Sequence, residues 1–297
     1  MRKTKVVGML LALLMAFQPL VANATPESRM DGTLEGCTIW ITQETNAYDV
    51  ETGETVRIPK GEKMTVTKES ENQFTVIYGE QNLKLDNTYV LINVKEYIPS
   101  LEVNLQMAQP ENLFFMGDEK IPGLTDKQFY TSEGAKDHSE AWLRYGVAQK
   151  LLEAQRAFQE DGYSIIIYDA YRPYPVTLEF KNCFRQYLNS KSASFKKEWF
   201  GTLGQNWFLA QKASAHNYGR AIDMGLRDLA SGEVVEMPSN VHTLDKRAAQ
   251  AYWEKQADMA WYMNQKMKEA GFTGLISEWW HFQDNDIPNG NVIDLAL

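Results

Sequence analysis

Between residues 36 and 95, polar and apolar positions alternate in short runs. Thr38-Ile39-Trp40-Ile41-Thr42 and Lys63-Met64-Thr65-Val66-Thr67 carry the two-residue period of half-buried strands. Phe74-Thr75-Val76-Ile77-Tyr78 and Thr88-Tyr89-Val90-Leu91-Ile92 are rich in the β-branched and aromatic residues that suit a pleated surface. Glu51-Thr52-Gly53-Glu54, Pro59-Lys60-Gly61 and Tyr78-Gly79-Glu80 read as turns between them. Short strands broken by frequent turns predict a small all-β barrel or sandwich. Past Pro99 and Ser100 the period changes. Leu143, Val147, Leu151, Ala154 and Phe158 stand at helical spacing, which predicts a helix from about Glu140 to Glu160, with Gly162 suited to end it. Tyr163 to Tyr168 reads as a buried strand, and Pro175 to about Asn189 as a second helix. Asp245 to Glu269 reads as a third, with Gly271 just past its end. Helices and strands without a regular βαβ rhythm predict an α+β domain, with helices packed on an antiparallel sheet.

The first residues follow another rule. Arg2, Lys3 and Lys5 precede an apolar run from Val6 to about Phe17, and Ala22-Asn23-Ala24 offers small residues two apart. That is the layout of a secretory signal peptide over residues 1–24. A membrane anchor is the alternative, but the run is shorter than the roughly 20 residues a spanning helix needs, and Gln18 and Pro19 interrupt it. No later segment is apolar enough to cross a bilayer. The expected location is therefore secreted, periplasmic or cell-wall associated, with no stable membrane span after cleavage.

Composition narrows the partners. The 297 residues carry 30 Lys and Arg against 39 Asp and Glu, a net charge of −9. Without the leader the balance is 27 to 39, or −12. An acidic chain with no basic stripe is a poor nucleic-acid binder, because phosphate contacts need Lys and Arg. Export permits a disulfide between Cys37 and Cys183, yet two cysteines far apart in sequence do not fix one.

The stretch from Ile58 to Val66, followed by a second strand pair, resembles bacterial SH3-like domains over about sixty residues. That resemblance implies an SH3-like barrel at residues 36–95 that binds cell-wall peptides. A β-unit that merely packs on its neighbour is the plainer alternative. Residues 98–297 would then form the second domain.

Chemistry gathers in three motifs. Ser214-Ala215-His216-Asn217-Tyr218-Gly219-Arg220-Ala221-Ile222-Asp223 sets an imidazole and a carboxylate seven apart, with Gly219 free to bend the chain between them. Glu278-Trp279-Trp280-His281 offers a second carboxylate and imidazole, and Asp169-Ala170-Tyr171-Arg172-Pro173 ends a strand with a cation. Two His and one Asp leave a fourth zinc position open for water, as catalytic zinc sites do. The remaining Glu could serve that water as general base, and Arg172 could meet an oxyanion. Each residue alone has a commoner structural explanation: a hydrogen-bonded core histidine, a wall tryptophan, a salt-bridged arginine. A regular strand also puts residues three apart on opposite faces, so Glu278 and His281 need a bulge or irregular strand start to converge.

Taken together and in this order, the three motifs resemble the zinc D-alanyl-D-alanine dipeptidases of vancomycin resistance, within a wider family of zinc D,D-peptidases that includes D,D-carboxypeptidases. The resemblance runs from about Ile98 to the C-terminus. The tryptophan after Glu278 favours the dipeptidase branch. The family's pattern implies that His216, Asp223 and His281 hold one zinc ion per chain. It also implies that Glu278 takes a proton from the attacking water and hands it to the leaving amine. Arg172 would stabilise the tetrahedral oxyanion, and Ser214 would help hold substrate. The implied architecture is α+β: a catalytic domain with an antiparallel sheet flanked by helices, preceded by the SH3-like barrel.

One position departs from the pattern. The dipeptidases bind the free ammonium of their substrate with an Asp between the two zinc motifs, and the matching residue here is His242, placing it in the substrate site without a carboxylate to offset the ammonium. With the leader, this points toward D-Ala–D-Ala ends of peptidoglycan stem peptides as well as the free dipeptide. A wall-binding protein with a dead peptidase domain is the alternative of another class; the presence of all five zinc-site and catalytic positions speaks against it.

Overall fold

The computed structural model describes residues 30–70, 72–108, 114–122, 129–208, 212–253, 259–287 and 290–297. The signal peptide expected at residues 1–24 lies outside them. Seven strands follow in close succession: β1 (Thr38–Ile41), β2 (Thr45–Asp49), β3 (Thr55–Ile58), β4 (Lys63–Ser70), β5 (Gln73–Tyr78), β6 (Gln81–Asp86) and β7 (Val90–Asn93). The alternation that predicts them is also what they bury: along β4, Met64 and Val66 face inward while Lys63 and Thr65 face water. The turn after β2 forms because the Asp49 carboxylate accepts from the amides of Glu51 and Thr52, each at 2.8 Å, and Gly53 supplies a positive φ.

A short helix, α1 (Val94–Tyr97), capped by Asn93, leads out of this sheet. There follow β8 (Glu102–Val103), the hairpin of β9 (Phe115–Met116) and β10 (Glu119–Lys120), and α2 (Glu133–Lys136). Next come β11 (Trp142–Arg144), α3 (Tyr145–Glu160), β12 (Tyr163–Asp169), α4 (Tyr174–Asn189) and α5 (Ala193–Phe200). The chain closes with β13 (Ala221–Asp228), α6 (Met259–Glu269), β14 (Thr273–Leu275) and β15 (Glu278–Gln283).

The strands form two main sheets. The first has the order β11-β7-β1-β4-β5-β6-β2-β3, and no pairing among the described residues closes it into a barrel. Its end strand comes from beyond the β-rich stretch: Trp142 pairs with Asn93 and Arg144 with Leu91. The second has the order β14-β15-β13-β12-β8, antiparallel except for β8 against β12. Helix α3 packs on β12 and on α6. The architecture is α+β, with an antiparallel sheet flanked by helices, as the pattern predicts.

Two helix limits differ from expectation. The first helix starts at Tyr145, because the residues before it are drawn into the first sheet as β11. Among the described residues the third covers Met259–Glu269, and the chain from Asp245 to Trp253 is not part of it. Asp245 is buried, accepts from Gly117 N at 2.9 Å and from Arg247 Nε at 3.0 Å, and caps only a single turn of 3-10 helix, Lys246–Ala248. Extended backbone at Ala249 and Trp253 interrupts helical continuation there. Cys37 is buried and Cys183 half-buried, and no disulfide joins them.

Candidate active site

Strand register assembles the site. Asp169 on β12 pairs with Asp223 on β13, which pairs in turn with His281 on β15. Three polar residues thus stand in a row across three adjacent strands. Two irregularities make the row. The β12–β13 register slips between Ile167 and Asp169. On β15, Glu278 faces Leu275 while Phe282 faces Gly274, so extra residues bulge out between them. That bulge is the device the spacing of Glu278 and His281 calls for, and it lets both line one cavity.

His216 arrives from a turn of 3-10 helix, Ala215–Tyr218, just before β13. Ser214 caps that turn: its hydroxyl accepts from His216 N at 3.4 Å, while Asn217 Oδ1 accepts from Ser214 N at 2.8 Å. Gly219 ends it in the left-handed region, φ +63°. A Cβ there would lie 2.5 Å from Leu91 Cδ2 of the first sheet, so the position is closed to a side chain as well as strained for one.

The donor atoms converge. His216 Nε2 lies 3.2 Å from Asp223 Oδ1, His281 Nδ1 lies 3.0 Å from the same oxygen, and the two nitrogens are 3.1 Å apart. Ligands about 2.0–2.1 Å from a tetrahedral zinc are spaced by roughly 3.3 Å, so this triangle needs little adjustment to serve as one face of such a site. All three residues are buried. Their outer atoms are held as well. His216 Nδ1 is 2.7 Å from Ala170 O, and His281 Nε2 is 3.3 Å from Gln283 Oε1. Metal-binding imidazoles are oriented in this way. The donor set fits a borderline cation that takes N and O ligands.

Arg172 enters beside this triangle. Its guanidinium lies 2.9 Å from Asp169 Oδ2, and its Nε donates to Thr177 Oγ1 at 3.1 Å. Asn217 Nδ2 donates to Arg172 O at 2.8 Å and to Thr177 Oγ1 at 2.9 Å. Asn217 therefore ties the histidine motif to the arginine motif. Asp169, Thr177 and Asn217 have no role in the expectations drawn from the sequence, although Ser-x-x-Asn ahead of a helical turn is a capping signal that points to Asn217.

Burial opposes the ionisation of Asp223, but the His216 charge and hydrogen bonds from His216, His242 and His281 outweigh it and hold the carboxyl well below its usual range. Burial acts against a charge on His216 too; Asp223 and Asp169 more than offset this and raise it. Glu278 is half-exposed as a residue, yet protein surrounds its carboxyl group. Lost solvation, with the Asp223 charge nearby, pushes it up to about 7 against the pull of His281 and Arg172. A carboxyl group poised there is suited to gain and lose a proton near neutrality.

Arg172, Ser214, His216, Asp223, Glu278 and His281 all line one cavity of about 240 Å³. His242 lines it as well, but its Nε2 is spent on Asp223 Oδ2, at 3.1 Å. Every residue singled out from the sequence is thus brought to one place; Ser214 and His242 are found there bonded to the protein itself.

Residues 131–294 match the family model described as Peptidase_M15, D-ala-D-ala dipeptidase. A D-alanyl-D-alanine dipeptidase of Enterococcus faecium is 29% identical over 155 residues, which are 50% of this chain and 75% of that relative. One of Escherichia coli strain K12 is 27% identical over 205 residues, 67% of this chain and 86% of the relative. Among solved structures, VanYB in complex with D-Alanine-D-Alanine aligns with a TM-score of 0.30 at 16% identity, covering 50% of this chain and 74% of that one.

Proposed function

This chain belongs to the D-Ala-D-Ala dipeptidase family of peptidases, and on that premise we propose that it is an exported zinc metallopeptidase cleaving D-Ala–D-Ala bonds. The observation that carries the reading is the convergence of His216 Nε2, Asp223 Oδ1 and His281 Nδ1 in a cavity that Glu278 and Arg172 also line. Zinc bound there would polarise the scissile carbonyl and make water acidic enough to attack at neutral pH. Glu278 takes the proton of the attacking water and returns it to the leaving amine. Arg172, held by Asp169 and Thr177, presents its remaining N–H groups to the oxygen that gains charge, at no cost in reorganisation. The basic-apolar-small pattern of residues 1–24 supports export.

A second reading concerns substrate length. Where the dipeptidases place a carboxylate for the substrate ammonium, His242 stands with its N–H turned to Asp223. Loss of that counter-charge favours D,D-carboxypeptidase action on N-acylated stem peptides. Purified zinc-loaded protein, given free D-Ala-D-Ala and separately an N-acylated peptide ending in D-Ala-D-Ala, separates the two. Release of D-Ala from the acylated peptide is expected. Release from the free dipeptide alone assigns a strict dipeptidase. Release from neither, with zinc bound, overturns the proposed activity.

A further inference from the structure

We propose that His242 is a positioning residue of the metal centre: it holds the outer oxygen of Asp223, so that the carboxylate offers a cation one oxygen and not two. The inference rests on the metallopeptidase reading and assigns His242 a task separate from substrate recognition.

The two carboxylate oxygens of Asp223 are divided between partners. Oδ1 faces His216 Nε2 and His281 Nδ1, and Oδ2 faces His242 Nε2 at 3.1 Å. A carboxylate only accepts hydrogen bonds, so Nε2 of His242 must carry the proton. Its Nδ1 is buried without a hydrogen-bond partner. Asp223 is therefore the group that fixes the tautomer of this ring.

The ring itself is clamped. Phe114 stacks on one face, with centroids 4.4 Å apart and planes 4° from parallel. Trp280 meets it edge-on at 5.7 Å. His242 is 1% exposed. Its backbone sits at φ +59°, a region that a residue with a Cβ occupies at a cost. Its carbonyl accepts from Phe115 N at 3.2 Å, and Phe115 bridges to Thr243, which holds the strained turn in place. A side chain held against two aromatic rings and by its own backbone is a rigid donor.

Rigidity matters because of what Asp223 would otherwise do. A carboxylate free to turn can bind a cation through both oxygens and occupy the position that substrate and water need. With Oδ2 held by the His242 N–H, rotation breaks a buried hydrogen bond to a charged group, and single-oxygen binding is favoured. Partners that orient metal ligands in this way typically account for about 10–100-fold in metal affinity.

The test uses the full protein, stripped of metal, with zinc affinity read by chelator competition in the absence of any substrate. His242→Phe keeps a ring for the Phe114 and Trp280 contacts and removes the donor; it is expected to bind zinc about 10–100-fold more weakly. His242→Gln restores an N–H and is expected to recover much of the loss. His242→Ala replaces the Phe variant if the latter fails to fold, as judged by far-ultraviolet circular dichroism. Cobalt substitution gives a second readout: its visible bands shift when the carboxylate becomes two-toothed, in the Phe or Ala variant but not in the Gln variant. A folded variant without the donor that binds zinc as the wild type does and shows unchanged cobalt bands overturns the inference, as does a change confined to KM. Wild-type protein that binds zinc but releases no D-Ala overturns the proposed activity and leaves this inference to stand or fall on the affinities.

Discussion

From β4 through β5, β6 and β2 to β3 the first sheet buries one face and wets the other, whereas β1, β7 and β11 at its other end are buried nearly throughout. Strands β4 and β6 alternate buried and exposed positions, and residues such as Lys63 and Lys84 occupy their outer face. The second sheet is covered on both faces: Ser164 to Asp169 on β12 and Ala221 to Leu226 on β13 are buried without a break. In a one-sided sheet a charged residue has an outer face to occupy. In a two-sided sheet it has none, so each polar residue there must be paired or must hold something. Asp169, Asp223 and His281 are such residues, and they form the row on which the site is built. The difference explains why one sheet can carry chemistry and the other supports it.

The largest effect expected from this contrast is on turnover. Glu278→Gln keeps shape and hydrogen-bonding capacity but cannot take a proton. Steady-state release of D-Ala is expected to fall about 10²–10⁴-fold, with zinc affinity preserved. The same carboxyl group sets the acid side of the pH profile. Its affinity for a proton is raised to about 7, so it is protonated and unable to act as base below that point. Zinc bound beside it would stabilise the charged form, which places the expected limb of kcat/KM at or below about 7. The wild type should lose activity as pH falls through the limb, and Glu278→Gln should show no such limb. Full turnover in the Gln variant would remove the base from the proposed mechanism.

Next in size is a core deletion in the first sheet. Leu83 on β6 is fully buried, far in the chain from every site residue. Leu83→Ala is expected to cost about 2–5 kcal/mol of stability through lost burial and the cavity left behind. Denaturant unfolding measures that loss, and activity per folded molecule should stay at the wild-type level. A drop in kcat among folded molecules would mean that the two sheets are not separable in this way.

The alternation of the first sheet is the part of the fold that a sequence displays openly. Strands β4 and β5 lie within a few residues of the runs that predict them, because period-two burial leaves its mark on every second residue; β1 lies within one residue of its run although Ile39, Trp40 and Ile41 are all buried. Strands β2 and β6 do not stand out in the sequence: Thr45-Asn46-Ala47-Tyr48-Asp49 buries only one apolar residue, and Gln81-Asn82-Leu83-Lys84-Leu85-Asp86 alternates two buried leucines with polar residues but carries no β-branched or aromatic side chain. β11 was hidden inside a helical pattern, since Leu143 satisfies both periods and only the tertiary pairing with Ile92 decides between them. In the site, the types and order of His216, Asp223, Glu278 and His281 were legible from motif spacing. Their convergence was not, because it depends on two bulges whose positions no local propensity specifies. The task of His242 was also hidden: residue type places it near the ligands, but only coordinates show which carboxylate oxygen it holds.

A smaller effect is expected where the two sheets meet. Arg144 sits on β11, the end strand of the first sheet, and is buried. Its Nε donates to Tyr218 O at 2.9 Å, its guanidinium to Thr88 O at 2.8 Å, and its backbone amide to Gly219 O at 2.8 Å. One residue thus bridges the first sheet to the turn that delivers His216. Arg144→Met fills much of the same volume but leaves two carbonyls without their donor, which is expected to cost about 1–3 kcal/mol. Unlike the Leu83 change, it should also lower zinc affinity or turnover in folded molecules, since the His216 turn loses an anchor. Loss of stability with site properties intact would show that the turn is held by Ser214 and Asn217 alone.

The smallest effect marks the far edge of the first sheet. Arg57 on β3 pairs with Glu44 at 2.5 Å, and both side chains are more than half exposed, at 73% and 53%. Water screens such a pair, and holding two long side chains in one geometry has an entropic cost, so Arg57→Ala is expected to leave stability almost unchanged. The buried Arg172–Asp169 pair is the counterpart in the second sheet, at 2.9 Å with exposures of 9% and 3%. Similar atoms at similar distances there meet no water, and Arg172→Ala would leave the buried Asp169 side chain without its guanidinium partner. Unfolding curves of the two alanine variants, measured side by side at low and high salt, test whether burial sets the worth of an ion pair in this fold. A salt-sensitive, small change at Arg57 and a larger, salt-insensitive one at Arg172 is the expected result; equal changes would mean that the wet and dry sheets do not differ electrostatically as their burial implies.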